Sequence, residues 1–180
     1  MVKFRELSIS EEKLIKNDID SNFGVNIFDS IRNRFQAIAK VGKKIEVFLV
    51  SQELKKYFID LKEKKSLTFL GLHLGDISNK KFKINIAAFD LVSKLSKKII
   101  TVSPKGEQTA LYGKNIPKKF IVSINPRAKK NELFLIQNQE KETVALGRLL
   151  FNSNLIEEQE PNQIIIKIYT DLGWYIRKGN

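Results

Sequence analysis

The chain of 180 residues contains no cysteine and a single histidine, His73. Without cysteine there is no disulfide framework, no thiolate nucleophile and no cysteine-based zinc site. A catalytic triad that uses histidine would require His73, which lies between Leu72 and Leu74 in an apolar segment. A structural histidine is the favoured interpretation there, because catalytic residues are scarce. These absences predict a protein without catalytic residues, cofactor or metal ligands.

Long hydrophobic runs are also absent. A run such as Ile164–Ile166 is strand-sized and is followed by Lys167, whereas a membrane-spanning helix needs about 20 apolar residues. The first residues, Met1–Glu6, lack the apolar segment of a secretory signal. We therefore expect a soluble cytoplasmic protein (nucleolar or nuclear in a eukaryote) that is monomeric and has no membrane partner.

Motifs for nucleotide chemistry are not evident. The segment Gly71–Gly75 does not have the spacing of a dinucleotide fingerprint, and Gly106, Gly113 and Lys114 do not have that of a Walker loop. The adjacent carboxylates Glu157 and Glu158 lie beside turn residues and are most simply a solvated surface. The sequence therefore favours a binding protein over an enzyme.

Basic residues are in clear excess. The formal net charge is +12, with 32 Lys and Arg against 20 Asp and Glu, and the halves before and after Leu95 share this excess equally. A charge spread along a folded chain attracts polyanions, because phosphate neutralisation releases condensed counterions. A lysine-rich solvated surface is the alternative, but the charge favours nucleic acid.

The N-terminal half alternates between helical and strand patterns. Ser8 and Glu11 have the spacing of a capping box, which predicts a helix that ends near Gly24. Further along, the patterns predict strands at residues 4–7, 27–31, 35–41, 45–50, 67–74 and 82–86, turns at 75–76 and 79–81, and helices at 51–61 and 87–95.

The C-terminal half is mostly short strands separated by glycine-marked turns. The patterns predict strands at residues 99–102, 120–124, 133–137, 144–151, 163–169 and 174–177, a turn at 104–106 and one short helix at 107–111. Many short strands with little helix are typical of a closed or nearly closed barrel.

Three motifs in this half carry a family resemblance. The segments Pro104–Gly113, Val144–Arg148 and Asp171–Arg177 resemble, in order, the entry motif, the glycine-containing central strand and the last turn and strand of PUA domains. Their glycines permit turns with positive φ on both sides of a short helix.

The N-terminal half narrows the resemblance. The segments Ser66–Gly75, Lys81–Ile84 and Ala88–Asp90 resemble the pre-PUA domain of the PUA-domain 60S ribosome biogenesis factors (the Nip-seven family), in an archaeal-type form. The resemblance covers almost the whole chain. It implies an α+β fold with a mixed α/β pre-PUA domain of antiparallel strands at residues 1–95 and a PUA β-barrel at residues 96–180.

The function that this resemblance implies is non-catalytic. The family acts in maturation of large-subunit pre-rRNA, binds RNA through the PUA domain and has been linked to the exosome in archaea, so the expected partners are pre-rRNA and exosome or ribosome-assembly proteins. One alternative is a general RNA-binding adaptor of an RNA-degrading complex. The other is a PUA-bearing RNA-modifying enzyme, which would be favoured if Asp76, Asn85 and Asp90 lined one deep pocket.

Candidate RNA contacts are the basic and aromatic residues that the PUA motifs bring together. They are Lys105, Lys114, Arg148, Lys167, Arg177, Lys178 and Tyr112. Lysine and arginine neutralise phosphates, and Tyr112 offers a flat surface for an unstacked base. The structural alternatives are that Tyr112 caps the mouth of the barrel and that Trp174 plugs it. A competing basic set in the N-terminal half is Lys43, Lys44, Lys55, Lys56, Lys80 and Lys81.

Overall fold

A computed structural model describes residues 3–54 and 70–178 of the chain. The chain divides into two compact units, Met1–Ala88 and Phe89–Asn180. Within the described residues, no helix has the length and hydrophobicity that crossing a membrane requires. The predicted helix at residues 51–61 and the start of the predicted strand at 67–74 lie largely outside the described residues.

The N-terminal unit is built on an antiparallel sheet in which the strands lie in chain order, β1-β2-β3-β4-β5. Its described elements are β1 (Lys3–Glu6), α1 (Ile9–Phe23), α2 (Ile27–Arg32), β2 (Gln36–Val41), β3 (Ile45–Val50), β4 (Leu72–Ser78), β5 (Lys81–Ile84) and a 3-10 turn (Ile86–Ala88). The predicted mixed α/β domain with antiparallel strands is confirmed.

Helix α1 begins at the predicted capping box. The Ser8 hydroxyl accepts a hydrogen bond from the Glu11 N–H at 3.3 Å, and the Glu11 carboxylate accepts one from the Ser8 N–H at 2.8 Å. Arg5 of β1 donates two further bonds to the same carboxylate, at 2.7 and 2.6 Å. One carboxylate therefore joins the first strand to the first helix, and it satisfies a helix N–H that would otherwise lack a partner.

The segment Ile27–Arg32, predicted as a strand, is the helix α2 instead. Asn26 begins it in the left-handed conformation, with φ of 64°, and the Asp20 side chain accepts a hydrogen bond from the Phe28 N–H at 3.0 Å. The apolar residues at positions 27, 28 and 31 are buried, which fits a helical spacing. A six-residue helix is too short for its period to stand out against a run of β-favouring residues.

The predicted turn at Gly75 and Asp76 is also wrong, because both residues lie inside β4. The reversal is in the second predicted turn, at Asn79 and Lys80, whose φ angles are 49° and 57°. Two consecutive positive φ angles are typical of the tight hairpin turn that suits the right-handed twist of paired strands.

The C-terminal unit contains three short helices and six strands in its described residues. They are α3 (Phe89–Ser93), β6 (Ile99–Val102), α4 (Pro104–Leu111), β7 (Ile116–Pro117), β8 (Ile121–Ile124), β9 (Leu133–Gln137), β10 (Thr143–Leu149), β11 (Ile164–Asp171) and α5 (Gly173–Lys178), with 3-10 turns at Lys118–Phe120 and Ser153–Leu155.

These six strands form one curled sheet in the order β7-β11-β10-β9-β6-β8, in which β6 and β9 are parallel and the other pairs antiparallel. The sheet surrounds an apolar core to which Ile100, Phe134, Leu149 and Ile166 contribute. Helix α4 packs on this core through Ala110. The arrangement confirms the predicted class of a small curled β domain.

Two predictions at the ends of this sheet are wrong. Pro104 was expected in a turn, but it is the first residue of α4, with the Ser103 side chain as N-cap. Proline is favoured there because it lacks an N–H and its φ is already helical. The predicted last strand at residues 174–177 is the helix α5.

The carboxylate of Glu11 generates a prediction about acid stability. Its hydrogen bonds to Arg5 hold the pKa at about 2, below the ordinary value of 4.5. Because the pKa is lower in the folded state, the stabilisation is complete above about pH 4.5 and is lost as the pH falls towards 2. We expect Glu11→Gln to lower the free energy of unfolding by about 1 kcal/mol at pH 7.

Urea unfolding followed by circular dichroism between pH 7 and pH 2 measures this difference. The difference in the free energy of unfolding between wild type and Glu11→Gln should be constant down to about pH 4.5 and should decrease below it. The exposed Glu140, changed to Gln, is the matched control. A gap that does not shrink in acid would contradict the assigned role of the carboxylate.

Candidate nucleic-acid interface

The outer face of the β10–β11 hairpin combines two cationic side chains with an exposed aromatic ring. Arg148 of β10 lies directly opposite Lys167 of β11. The Arg148 guanidinium carbon is 5.1 Å from the centroid of the Tyr169 ring. Tyr169 is 52% exposed and Lys167 is also exposed. We call Arg148, Lys167 and Tyr169 the cation–aromatic face.

A β-bulge lies beside this face. Leu146 lies opposite Thr170 and Gly147 opposite Ile168, so Tyr169 is an extra residue in β11. A Cβ atom at Gly147 would lie 2.5 Å from Cγ2 of Ile166, which is too close for any other residue type without a shift. Bulges of this kind bend a strand and redirect a side chain.

The Arg148 guanidinium has no anionic partner among the described residues. Among the described residues no carboxylate forms an ion pair with Arg148, and its Nε is buried without a hydrogen-bond partner. Its guanidinium group lies over the ring of Tyr169. An arginine stacked on an aromatic ring is held in a defined orientation while its outer donors remain available for a phosphate or a base edge.

Lys114 and Tyr112 belong to the segment that follows α4. Both are exposed, Tyr112 to 60%, so Tyr112 does not cap the core. The Asn115 side chain accepts a hydrogen bond from the Ile168 N–H at 3.1 Å. This bond fixes the segment beside β11, next to the residues of the cation–aromatic face.

The described contacts do not include Lys105 or Lys178 in this group of residues. Lys105 is exposed in the first turn of α4, at the opposite end of an eight-residue helix from Lys114, or about 10 Å along the axis. Lys178 ends α5, and its side chain lies outside the described residues.

Arg177 forms hydrogen bonds within the C-terminal unit. It pairs with Asp171 at 3.0 Å and also donates a hydrogen bond to the carbonyl oxygen of Leu111, the last residue of α4. Asp171 is 3% exposed. The guanidinium therefore joins the end of β11, the end of α4 and α5 through two hydrogen bonds, while the residue remains exposed.

Two motif glycines make this junction possible. Gly113 has a φ of +68°, and a Cβ atom there would lie 3.1 Å from Nη2 of Arg177. A Cβ atom at Gly173 would overlap the carbonyl oxygen of Leu111. The first and last PUA-like motifs of the sequence are therefore in direct contact, and their glycines allow the close approach.

Trp174 does not plug the sheet, as the structural alternative required, because it is 44% exposed at the start of α5. Tyr169, in contrast, was missed by the sequence analysis. The alternation of Lys167 with Tyr169 along one strand was the available signal, since residues two apart share a face.

Some residues of the competing basic set are exposed, and one of its residues is engaged in an ion pair. Lys43, Lys80 and Lys81 are exposed at two turns of the N-terminal unit, whereas Lys44 pairs with Asp76 at 2.6 Å. The remaining members, Lys55 and Lys56, lie outside the described residues.

The polar residues on which an enzyme would depend make local contacts. Asp76 bonds to His73 at 3.0 Å, the Asn85 side chain caps the Ala87 N–H at 2.9 Å, and Asp90 accepts from the Thr143 N–H at 3.3 Å. Glu157 of the acidic run pairs with Lys118 at 3.7 Å. Each of them therefore makes a contact within its own unit.

Comparisons with known proteins agree with both units. A model of the NIP7/UPF0113 pre-PUA domain matches residues 4–86, and a model of the UPF0113 PUA domain matches residues 98–180. The chain belongs to the NIP7/UPF0113 family. The predicted family resemblance is therefore confirmed over nearly all of the chain.

Relatives within the NIP7/UPF0113 family match from end to end. The chain is 23% identical over 174 residues to the "60S ribosome subunit biogenesis protein NIP7 homolog" of Dictyostelium discoideum, covering 96% of this chain and 97% of that protein. It is 21% identical over 174 residues to the "60S ribosome subunit biogenesis protein NIP7" of Saccharomyces cerevisiae, covering 96% of each.

A solved structure supports the fold. The solved structure of a "Conserved PUA Domain Protein" from Thermoplasma acidophilum aligns with a TM-score of 0.62 at 14% identity, covering 99% of both chains. At this identity the likeness concerns the arrangement of the elements.

The junction around Arg177 predicts a large effect of a small substitution. Gly173→Ala places a methyl group against the Leu111 carbonyl, so α5 must move away and Asp171 loses its partner in a buried position. We expect the free energy of unfolding to fall by about 2 kcal/mol or more, as for other broken partly buried ion pairs.

Gly42→Ala is the matched control, because the nearest atom to a Cβ there is 3.8 Å away, in ordinary van der Waals contact. Urea unfolding of both variants, followed by circular dichroism and by the fluorescence of Trp174, the only tryptophan, measures the difference. Equal effects of the two substitutions would contradict the proposed tight junction.

Proposed function

We propose that this NIP7/UPF0113 protein is a non-catalytic RNA-binding factor in ribosome biogenesis, acting on large-subunit ribosomal RNA through its PUA unit. The observation that carries the proposal is the cation–aromatic face, in which an arginine without a carboxylate partner lies over an exposed tyrosine beside an exposed lysine. The names of the full-length relatives, both 60S biogenesis proteins, support the assignment to the large subunit.

The chemistry of the face suits single-stranded or irregular RNA. Aromatic rings stack on unpaired bases, and cations beside the ring neutralise the adjacent phosphates. Arginine adds a planar set of donors that reads base edges as well as phosphates. Lys114, beside β11, extends the positive surface. Arg177 is assigned a supporting place beside the proposed contacts, because its Nη1 and Nη2 are bonded to Leu111 and Asp171.

The proposal assigns no reaction to the chain. Asp76, Asn85 and Asp90, the residues on which an RNA-modifying activity would depend, are each used in local hydrogen bonds. The expected partners are accordingly pre-rRNA and the proteins assembled on it, or, in the adaptor alternative, an RNA-degrading complex.

Removing the two cations of the face tests the location of the RNA site. We expect the double variant Arg148→Gln, Lys167→Gln to bind single-stranded RNA more weakly than wild type. If both cations contact phosphates, the slope of log affinity against log salt should become shallower by about 1.4, since each neutralised phosphate contributes about 0.7. Fluorescence anisotropy titrations from low to physiological salt measure both quantities.

The matched control removes the same charge from the N-terminal unit, as Lys80→Gln, Lys81→Gln. This variant should keep most of the affinity and the slope. A larger loss for Lys80 and Lys81 than for Arg148 and Lys167 would place the RNA site on the other unit.

Tyr169 provides a separate test of base stacking. We expect Tyr169→Leu to weaken the binding of single-stranded RNA by about 1–3 kcal/mol, the usual contribution of one stacked base. Tyr169→Phe keeps the ring and should bind nearly as wild type does. Duplex RNA should be much less sensitive, because its bases are already stacked. Equal affinities of the Leu and Phe variants would show that no base stacks on this ring.

A further inference from the structure

On the sheet of the N-terminal unit, three potential metal ligands converge. They are Glu46 of β3 and His73 and Asp76 of β4, whose ligand atoms all lie within 4.8 Å of one another. His73 Nε2 and Asp76 Oδ1 are 3.0 Å apart. All three side chains are about one-fifth exposed, so they are neither solvated surface groups nor core residues. The RNA-binding proposal does not use them.

A β-bulge brings two of these ligands to one face. In a regular strand, residues three apart point to opposite faces. Here Val47 lies opposite Gly75 while Phe48 lies opposite His73, so Leu74 is an extra residue in β4. This insertion reverses the alternation and places the His73 side chain beside that of Asp76. Glu46 joins them because it lies directly opposite Asp76.

The backbone and the aromatic packing hold this arrangement. A Cβ atom at Gly75 would lie 2.6 Å from Cζ of Phe82, so the strand tolerates only glycine between the bulge and Asp76 without a shift. The His73 ring stacks on Phe48, with centroids 5.0 Å apart and planes at 23°. The ring plane of His73 is therefore fixed, with Nε2 directed at Asp76.

The two carboxylates of the triad lie close together, and each is paired with a lysine. Glu46 and Asp76 are directly opposite on neighbouring strands, an arrangement in which like charges repel. Lys40 pairs with Glu46 at 2.8 Å, and Lys44 pairs with Asp76 through Oδ2 at 2.6 Å. The lysines compensate the charge from the flanks and leave Asp76 Oδ1 facing His73 Nε2.

We propose that Glu46, His73 and Asp76 bind a late first-row divalent cation, with Zn²⁺ as the type ion. One imidazole nitrogen and two carboxylate oxygens are ligands that Zn²⁺ accepts at about 2.0–2.2 Å, and three protein ligands leave an open position for water. Mg²⁺ prefers an all-oxygen site and is not expected. This proposal replaces the expectation from the sequence that the chain has no metal ligands.

Coordination changes the hydrogen bonding of His73. The imidazole binds the ion through the Nε2 lone pair, so a neutral ring carries its proton on Nδ1 in the bound state. The ion then takes the place of the hydrogen bonds that Nε2 can form with Asp76 Oδ1 at 3.0 Å and with the Gly75 carbonyl oxygen at 3.2 Å. A bound ion joins β3 to β4 through their side chains and stabilises the folded unit according to its concentration and affinity.

The single histidine makes the test direct. In protein without an affinity tag of histidines, the imidazole C–H signals in the NMR spectrum belong to His73 alone. We expect these signals to shift on titration with Zn²⁺ and to stop shifting at one equivalent, with the same stoichiometry in calorimetry. His73 signals that stay unchanged in excess Zn²⁺ would overturn the proposal.

Variants separate a metal site from a structural histidine. We expect His73→Asn and Glu46→Gln each to weaken Zn²⁺ binding at least tenfold, since even partners outside the ligand set cost 10–100-fold elsewhere. Glu12→Gln, which removes a paired carboxylate from α1, is the matched control and should bind as wild type does. Wild-type affinity in His73→Asn would overturn the assignment.

We expect Lys44→Met to strengthen Zn²⁺ binding, in contrast to the variants of the ligands themselves. Removing the ammonium group frees Asp76 Oδ2 and removes a positive charge from the site, so Zn²⁺ should bind more tightly than to wild type. A histidine with a purely structural role predicts no such gain. Binding that is not strengthened in Lys44→Met would contradict Asp76 as a ligand.

Discussion

The ion pair between Arg177 and Asp171 is the constraint on which the C-terminal unit depends. It lies where β11 ends, and it reaches the last carbonyl of α4 as well as α5. A carboxylate that is 3% exposed requires a partner, because a buried unpaired charge is costly. The pair lies at the end of β11, the strand that carries Lys167 and Tyr169. Arg177, which the sequence marks as a candidate nucleic-acid contact, thus joins the end of this strand to α4 and α5.

Each sheet contains a bulge beside one of the two candidate groups of side chains. In β4 the extra residue is Leu74, next to Gly75, and it brings His73 beside Asp76. This insertion changes the face that the His73 side chain occupies. In β11 the extra residue is Tyr169, which follows the Ile168 that lies opposite Gly147. Tyr169 shares its face with Lys167 by the ordinary alternation of a strand, and the Arg148 guanidinium lies over its ring.

The basic residues that give the net charge of +12 are of two kinds, those in ion pairs with carboxylates and those without such a partner. Several basic residues are neutralised locally, as in the pairs of Arg5 with Glu11, Lys98 with Glu132 and Arg177 with Asp171. Arg148 and Lys167 form no such pairs among the described residues. Total charge sets the general attraction to polyanions, but the unpaired cations decide where a phosphate is held.

The sequence by itself determined the class of fold, the family and the elements whose signals are local. The capping box at Ser8 and the strands at residues 45–50, 99–102 and 133–137 needed only neighbouring residues to be recognised. Tertiary structure decided the helices α2 and α5, the burial of Asp171 behind Arg177 and the exposure of Trp174. It also decided the two groups Arg148 with Tyr169 and Glu46 with His73 and Asp76. The alternation of Lys167 with Tyr169 is visible in the sequence, but the strand that pairs with them is set by packing between distant segments. The inserted Leu74 that brings His73 beside Asp76 leaves no periodic trace in the chain.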